Sequence, residues 1–408
     1  MKLADGLTDA LRRPLPKPLL VVSCVALCAA CLDDASDAKA TGRAESADMF
    51  SAWPGDESLR IAAEPSLVVG LDESLPLGRV SGAVFFGDGI AIADRMSYEV
   101  LILDAAGRLL ARQGRKGEGP GDYLNLNAIA RHADGLVTSD ASFLFRATRL
   151  DASGRYIGET KLSPVGYQMG RIVGAFGNSV LREISEMGWR GPSPAGPMEI
   201  RQPVTYEIVR LSDGEVVFEG TRPGEEQWAA REDIDIDGFR SSMHGGQPVT
   251  FGRTAVSAVT DRYAYLADTD SITITRYDEA GAAVEVSFEQ PRQSAEADWA
   301  RFVRDTLRAN PFIREFGLRL LEDLPARPTL PAFSAMMGGA DGLLWIREYP
   351  NPLQDQVVWV GFSEAWERKK RITMPVRLHV LDISGNRVLV QAKGAHDETL
   401  IEVYPIER

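Results

Sequence analysis

The chain has 408 residues, 44% apolar and 25% charged, an ordinary globular balance that excludes a collagen, a coiled-coil rod and a disordered tail protein. At roughly 100–200 residues per domain this length allows two or three domains or one large single-core architecture. The formal charge is −13; residues 1–30 hold Lys2, Arg12, Arg13 and Lys17 against Asp5 and Asp9, so the remainder carries about −15, which disfavours nucleic acid and anionic membrane surfaces, both of which demand a clustered positive field.

A basic segment ending at Lys17 leads into the short apolar run Pro18 to Cys31, followed by Asp33 and Asp34. The run is too short to span a bilayer comfortably and has the layout of a secretory h-region, so residues 1–30 read as a signal peptide. Ala29-Ala30-Cys31 resembles a bacterial lipobox, which implies that Cys31 becomes the lipidated first residue and that the protein is held at the cell envelope, on the periplasmic side or the outer surface. Cys24, after Val21-Val22-Ser23, fits the same pattern by residue type but leaves a shorter h-region. The third cysteine, Cys28, lies in the same stretch, so the chain beyond Cys31 has no thiol and depends on its core instead of disulfides. Residues 31–58, with few large apolar side chains, read as a disordered tether.

From Gly82 to Tyr123 the pattern changes to short β-runs. Gly89-Ile90-Ala91-Ile92-Ala93-Asp94 is a strand ending at an acid, Tyr98 to Asp104 is a second, and Ala105-Ala106-Gly107 turns into a third. The frame returns before Asp140 and before Asp268, and the step from Asp94 to Asp140 is about 46 residues. Steps of about 45 continue through Ser185, Asp268, Arg347 and Ala392 when two insertions are allowed. Six recurrences at about 44 residues each match a four-stranded propeller blade.

Gly89 to Tyr123 resembles an NHL-type repeat, and the crossover Gly114-Arg115-Lys116-Gly117-Glu118-Gly119-Pro120-Gly121-Asp122-Tyr123 is similar to bacterial six-bladed β-propeller lipoproteins of the TolB-like superfamily. Leu330-Pro331-Ala332-Phe333 and Asp341 to Ile346 carry the likeness further along the chain. The resemblance implies an all-β fold over residues 59–408: a six-bladed β-propeller of four-stranded antiparallel blades. The last repeat offers three strands, so Leu59-Arg60-Ile61 or Leu67-Val68-Val69 is expected to supply its fourth and close the ring.

Two segments depart from the repeat. Between about 292 and 330, Trp299, Phe302, Val303 and Leu307 recur at helical spacing, and Asn310-Pro311 opens a second such run with Phe312, Ile313, Phe316, Leu320 and Leu324, so an inserted pair of amphipathic helices is expected. Its stripe either packs on a blade or forms a lid or partner surface. Asp233, Asp235 and Asp237 with Gly238 match the start of a calcium loop, in which alternate carboxylates converge on a hard cation. The twelfth position, normally a bidentate Glu, is His244, so calcium competes with a plain acidic loop and no cofactor is otherwise implied.

Glycines 114–121 lack a following Lys-Ser or Lys-Thr and do not open a helix, so they read as a structural turn, not a phosphate cradle. The four histidines, His132, His244, His379 and His396, form no metal-binding pair in sequence, and no Gly-x-Ser-x-Gly elbow occurs. Asp94, Asp140 and Asp268 sit at equivalent places in their repeats. Either they cap the turns leaving their strands or they ring a channel mouth and bind a cation or polar ligand. Two functions follow: a monomeric, membrane-tethered binding platform for a protein, peptide or glycan, or a metal-dependent enzyme resembling the lactonases and lyases built on six-bladed propellers, with its metal on the axis.

Overall fold

The structure is a computed structural model that describes residues 40–43, 49–71, 75–133, 135–164, 168–186, 196–236, 239–288, 290–309, 318 and 320–408. Both Cys31 and Cys24, and with them the signal peptide, lie outside the described residues. Three short strands come first: β1 (Ala40–Arg43), β2 (Leu59–Ile61) and β3 (Leu67–Val69). The repeats follow. Blade one is β4 (Val80–Phe86), β5 (Gly89–Asp94), β6 (Glu99–Leu103) and β7 (Leu109–Gln113), each antiparallel to the next. Blade two repeats this order as β8 (Ala128–His132), β9 (Gly135–Asp140), β10 (Arg146–Leu150) and β11 (Tyr156–Lys161).

Blade three is built on the same plan with longer strands: β12 (Gln168–Phe176), β13 (Ser179–Glu186), β14 (Met198–Arg210) and β15 (Val216–Ile236), with β16 (Phe239–Pro248) added as a fifth. Blade four comprises β17 (Ala255–Val259), β18 (Ala264–Asp268), β19 (Thr273–Tyr277) and β20 (Ala283–Ser287), and β1 pairs with β20 in parallel. One helix, α1 (Ala297–Arg308), follows it. Blade five is β21 (Ala335–Gly338), β22 (Leu344–Arg347), β23 (Gln356–Phe362) and β24 (Arg368–Pro375). Blade six joins β25 (His379–Ile383), β26 (Arg387–Lys393) and β27 (Thr399–Glu407) to β3.

Two observations make these six sheets a closed ring. The first strands touch in the cycle β4, β8, β12, β17, β21, β25 and back to β4. Six apolar clusters, one between each neighbouring pair of blades, are present among the described residues, whereas an open arc of six would have five interfaces. The cluster joining blade six to blade one, with Val69, Phe85, Ile90, Leu389 and Ile401, is the closing one. Second strands lie deep: every residue of β5 and of β9 is buried, including the polar Thr138, Ser139 and Asp140 of β9. The positions Asp94, Asp140 and Asp268, marked by the recurring pattern, and Ser185, Arg347 and Ala392, reached by spacing, all fall at the end of a second strand or one residue short of it.

The closing strand is β3, while β2 bridges β24 of blade five and β27 of blade six. Both expected segments are therefore used. The folded body also begins earlier than Ser58: Met49 and Phe50 are 1% and 5% exposed and pack with blades four and five, so the segment expected to be a tether contains a buried anchor. Sequence reading passed over it because two apolar residues in a polar stretch carry no periodicity.

The glycine-rich crossover is a turn held from inside. Gly114 has φ +98° and an added Cβ would meet the Tyr123 ring at 2.6 Å, while the Arg146 guanidinium donates to the carbonyls of Glu118, Gly119 and Asp122. The α-helical insertion packs on the body through Trp299 of α1, 4% exposed against Phe251 and Leu330. Asp298 in its first turn and Arg308 in its last suit the helix dipole. The expected second helix lies largely outside the described residues; Leu318 and Leu320 are helical.

Candidate functional site

In each blade the antiparallel order puts the turn between second and third strands at the same end as the crossover to the next blade. This end is the upper face. Exposed Met96, Phe143 and Leu353 stand in three of its turns. A cavity of about 570 Å³ lies where the lengthened strands of blade three rise beside blade four.

The cavity floor is one row of cross-strand neighbours. Arg171 on β12 pairs with Glu183 on β13, which pairs with Tyr206 on β14. The Arg171 Nε and Nη2 donate to the two Glu183 carboxylate oxygens at 3.0 and 2.9 Å, a bidentate fork, and the Ser257 hydroxyl from β17 donates to the same carboxylate at 3.3 Å. Tyr206 is 1% exposed, and burial, reinforced by the neighbouring Glu183 charge, pushes its hydroxyl above the usual tyrosine range. Val204, Val256 and Met336 line the walls, and Gln202, Glu225 and Gln227 lie at the far end on β14 and β15. Arg171 is half-exposed despite its partner and also lines a second cavity.

That second cavity, about 290 Å³, is the axial channel, lined by first strands of all six blades. Arg131 of β8 and Asp382 of β25 form an ion pair across it. Asp382, 2% exposed, also accepts from the Phe85 amide at 2.8 Å and the Ile383 amide at 2.9 Å. Burial raises its pKa to about 6, with Arg131 and the two amides holding it from going higher. A carboxyl whose folded pKa exceeds its unfolded value contributes stability that is full below about pH 4 and is lost as pH rises through about 6. His132, whose pKa burial holds below the usual histidine value, acts in the opposite sense, its contribution to stability rising with pH. The difference in melting temperature between wild type and Asp382→Asn should therefore move against wild type between pH 4.5 and 7, equivalent to on the order of 1–3 kcal/mol. Parallel pH profiles for the two proteins would remove Asp382 as the titrating group.

The sequence-predicted acids sit elsewhere. Asp94 accepts from the Gly78, Arg79 and Met96 amides at 3.0, 3.0 and 2.9 Å. Asp140 accepts from Leu124 and Asn125 at 2.7 Å each and from Phe143 and Leu144 at 3.1 Å each. Each carboxylate ties the incoming crossover to the turn leaving its own strand. Asp268 accepts from the Asp270 amide at 2.9 Å and meets Arg201 at 2.7 Å. All three stand on second strands, not on the first strands that line the channel. Asp233 and Asp235 lie in β15, in register with Ser242 and Arg240 of β16, within an antiparallel ladder; Asp237 lies outside the described residues. Among the described residues no three His, Cys, Asp or Glu side chains are gathered where they would hold a metal ion. No described helix is long and apolar enough to cross a membrane.

Sequence reasoning missed Arg171, Glu183, Tyr206 and Ser257. The first three come from the blade whose repeat is least recognisable, and their one common signal is register: they meet only once β12, β13 and β14 are paired.

The sheets and their cyclic packing define the chain as a β-propeller. No family model matches the chain and no curated protein matches it by sequence. Its fold is similar to solved structures at very low identity. A Bacteroides fragilis protein thought to be exported is 10% identical, with 90% of this chain and 99% of that one covered and a TM-score of 0.42. A Bacteroides vulgatus member of the DUF4221 family is 9% identical, with coverages of 86% and 99% and a TM-score of 0.45. Streptogramin B lyase is 11% identical, with coverages of 84% and 88% and a TM-score of 0.38.

Proposed function

We infer that this protein is a six-bladed propeller lipoprotein of the NHL or TolB-like type, tethered through Cys31 to the bacterial cell envelope and acting as a monomeric binding platform for a protein, peptide or glycan. The observation that carries this reading is the cavity on the upper face, whose volume of about 570 Å³ falls in the range of small-molecule and peptide-end sites. It exists because β14 and β15 run to 13 and 21 residues where the other blades use strands of three to nine. A propeller needs no such extension to close, so the extension supports a role beyond packing.

The test is a thermal-shift screen of short peptides, oligosaccharides and divalent metals, repeated on Ala255→Trp, which fills the cavity. At least one peptide or oligosaccharide should raise the melting temperature of the wild type and leave the filled variant unmoved. Chemical turnover of a bound compound, or a response confined to metals, would overturn the platform reading.

A further inference from the structure

Resting on the reading of the upper cavity as a binding site, we propose that its occupant is a short apolar peptide held by its free carboxy-terminus on Arg171, its chain extended along blade three toward Glu225. Three observations carry this. The first is the state of Arg171. Glu183 engages its Nε and Nη2 and leaves the Nη1 donors unused by that pair, while the side chain keeps about half its exposure and lines both this cavity and the axial channel. A guanidinium locked on one edge and open on the other is preorganised to accept a second carboxylate, because its rotamer entropy is already spent. Glu183 does not compete for a ligand, since Arg171 and Ser257 take up its oxygens.

Length is the second observation. The floor row stands at Tyr206 on β14, and Gln202 at the far end is four residues along the same strand, roughly 13 Å at the usual strand rise. Arg171 and Glu225 stand three strands apart on β12 and β15, roughly 14 Å across the blade, so their backbone positions are about 19 Å apart on the diagonal; a peptide of about four extended residues covers roughly 13 Å of this and the two long side chains supply the remaining reach. Between the two ends Val204, Val256 and Met336 offer apolar contact, while Ser185, Gln202 and Gln227 offer neutral hydrogen-bonding groups of the kind that pair with peptide amides.

Charge is the third. The protein beyond residue 30 carries about −15, and Glu225 stands at the far end with Gln227 as its hydrogen-bond partner at 3.0 Å. A simple anion is repelled by that field. A peptide with both termini free has no net charge, and its amino group lies at the Glu225 end when its carboxylate lies on Arg171. A fatty acid shares the carboxylate and the apolar body but has neither amides nor the amine. Among the described residues Tyr206 is the aromatic one lining the cavity, and it is buried, so they present no ring face to a sugar.

Calorimetric titration of the full-length protein with Ala-Val-Ala-Leu, with the same peptide amidated at its carboxy-terminus, and with decanoate decides the matter. The free acid should bind at least tenfold more tightly than the amide and more tightly than decanoate. Arg171→Met should make acid and amide equal; if that variant does not fold, the wild-type comparison stands without it. Equal binding of acid and amide to wild type, both blocked by Ala255→Trp, would sink the Arg171 assignment and leave the cavity as a binding site. Decanoate binding as tightly as the peptide would replace the peptide with an acyl ligand. No binding by any of the three would remove this proposal, while the wider screen on Ala255→Trp reports separately on the cavity.

Discussion

Deletion of the residues through Gly70 should abolish the cooperative unfolding transition. The deleted segment contains β3, the fourth strand of blade six, and β2, which links blades five and six. It also contains Met49, Phe50 and Val69, all at most 5% exposed. Fully burying such side chains is worth about 1.5–3 kcal/mol each, so three of them already approach the 5–15 kcal/mol that separates a folded domain from its unfolded chain. Removing β3 further bares the β27 edge and thins the closing cluster. Calorimetry on the truncated and full-length proteins checks this, with truncation before Lys39 as the control that spares β1, β2 and β3. A truncated protein that melts cooperatively at the full-length temperature would show that the ring closes through the remainder of the sixth interface and does not need β2 and β3.

The second large effect is expected at Arg182. Its side chain on β13 is fully buried, donating to Glu207 at 3.1 Å and to the Ser163 carbonyl at 2.8 Å, and burial lowers its pKa while Glu207 opposes the drop. Arg182→Ala leaves the Glu207 carboxylate without its partner in a site that is 11% exposed, and breaking a buried pair in this way costs about 3–5 kcal/mol. Replacing both members, as Arg182→Met with Glu207→Leu, should restore most of that loss, since a buried pair contributes little over well-packed apolar groups. Urea midpoints for the single and double variants measure it. A loss under about 1 kcal/mol for Arg182→Ala would mean that water reaches Glu207 and the pair is screened. The position matters to the cavity as well, because Glu183 is the next residue on the same strand and successive side chains point to opposite faces.

The fold was legible where duplication had left it intact. Asp94 and Asp140 announced their blades because each must cap a turn with a carboxylate, and that demand keeps an acid at the end of a buried strand. Blade three was hard to read for the opposite reason. Its strands are lengthened, so turn signals drift off the 45-residue step, and Ser185 was reached by counting, not by pattern. The cavity sits on that blade, and its residues are neither consecutive nor of unusual type. Arg171, Glu183 and Tyr206 become neighbours through pairing register, which a single sequence does not display. The same limit applied to Met49 and Phe50, whose importance lies in what they meet some 240 residues later, between blades four and five.

Blade six has a consequence for the order of events during folding. Val69 pairs with Ile401, so the last interface draws on segments from the two ends of the folded chain. No nascent chain can close the ring before its final strand is released, and the first five blades must wait with one edge unpaired. Contacts between such distant segments are slow to form and expose strand edges meanwhile. The protein should accordingly show a late, rate-limiting closure step, and its greatest risk of aggregation should fall in the interval before that step and not in the native state.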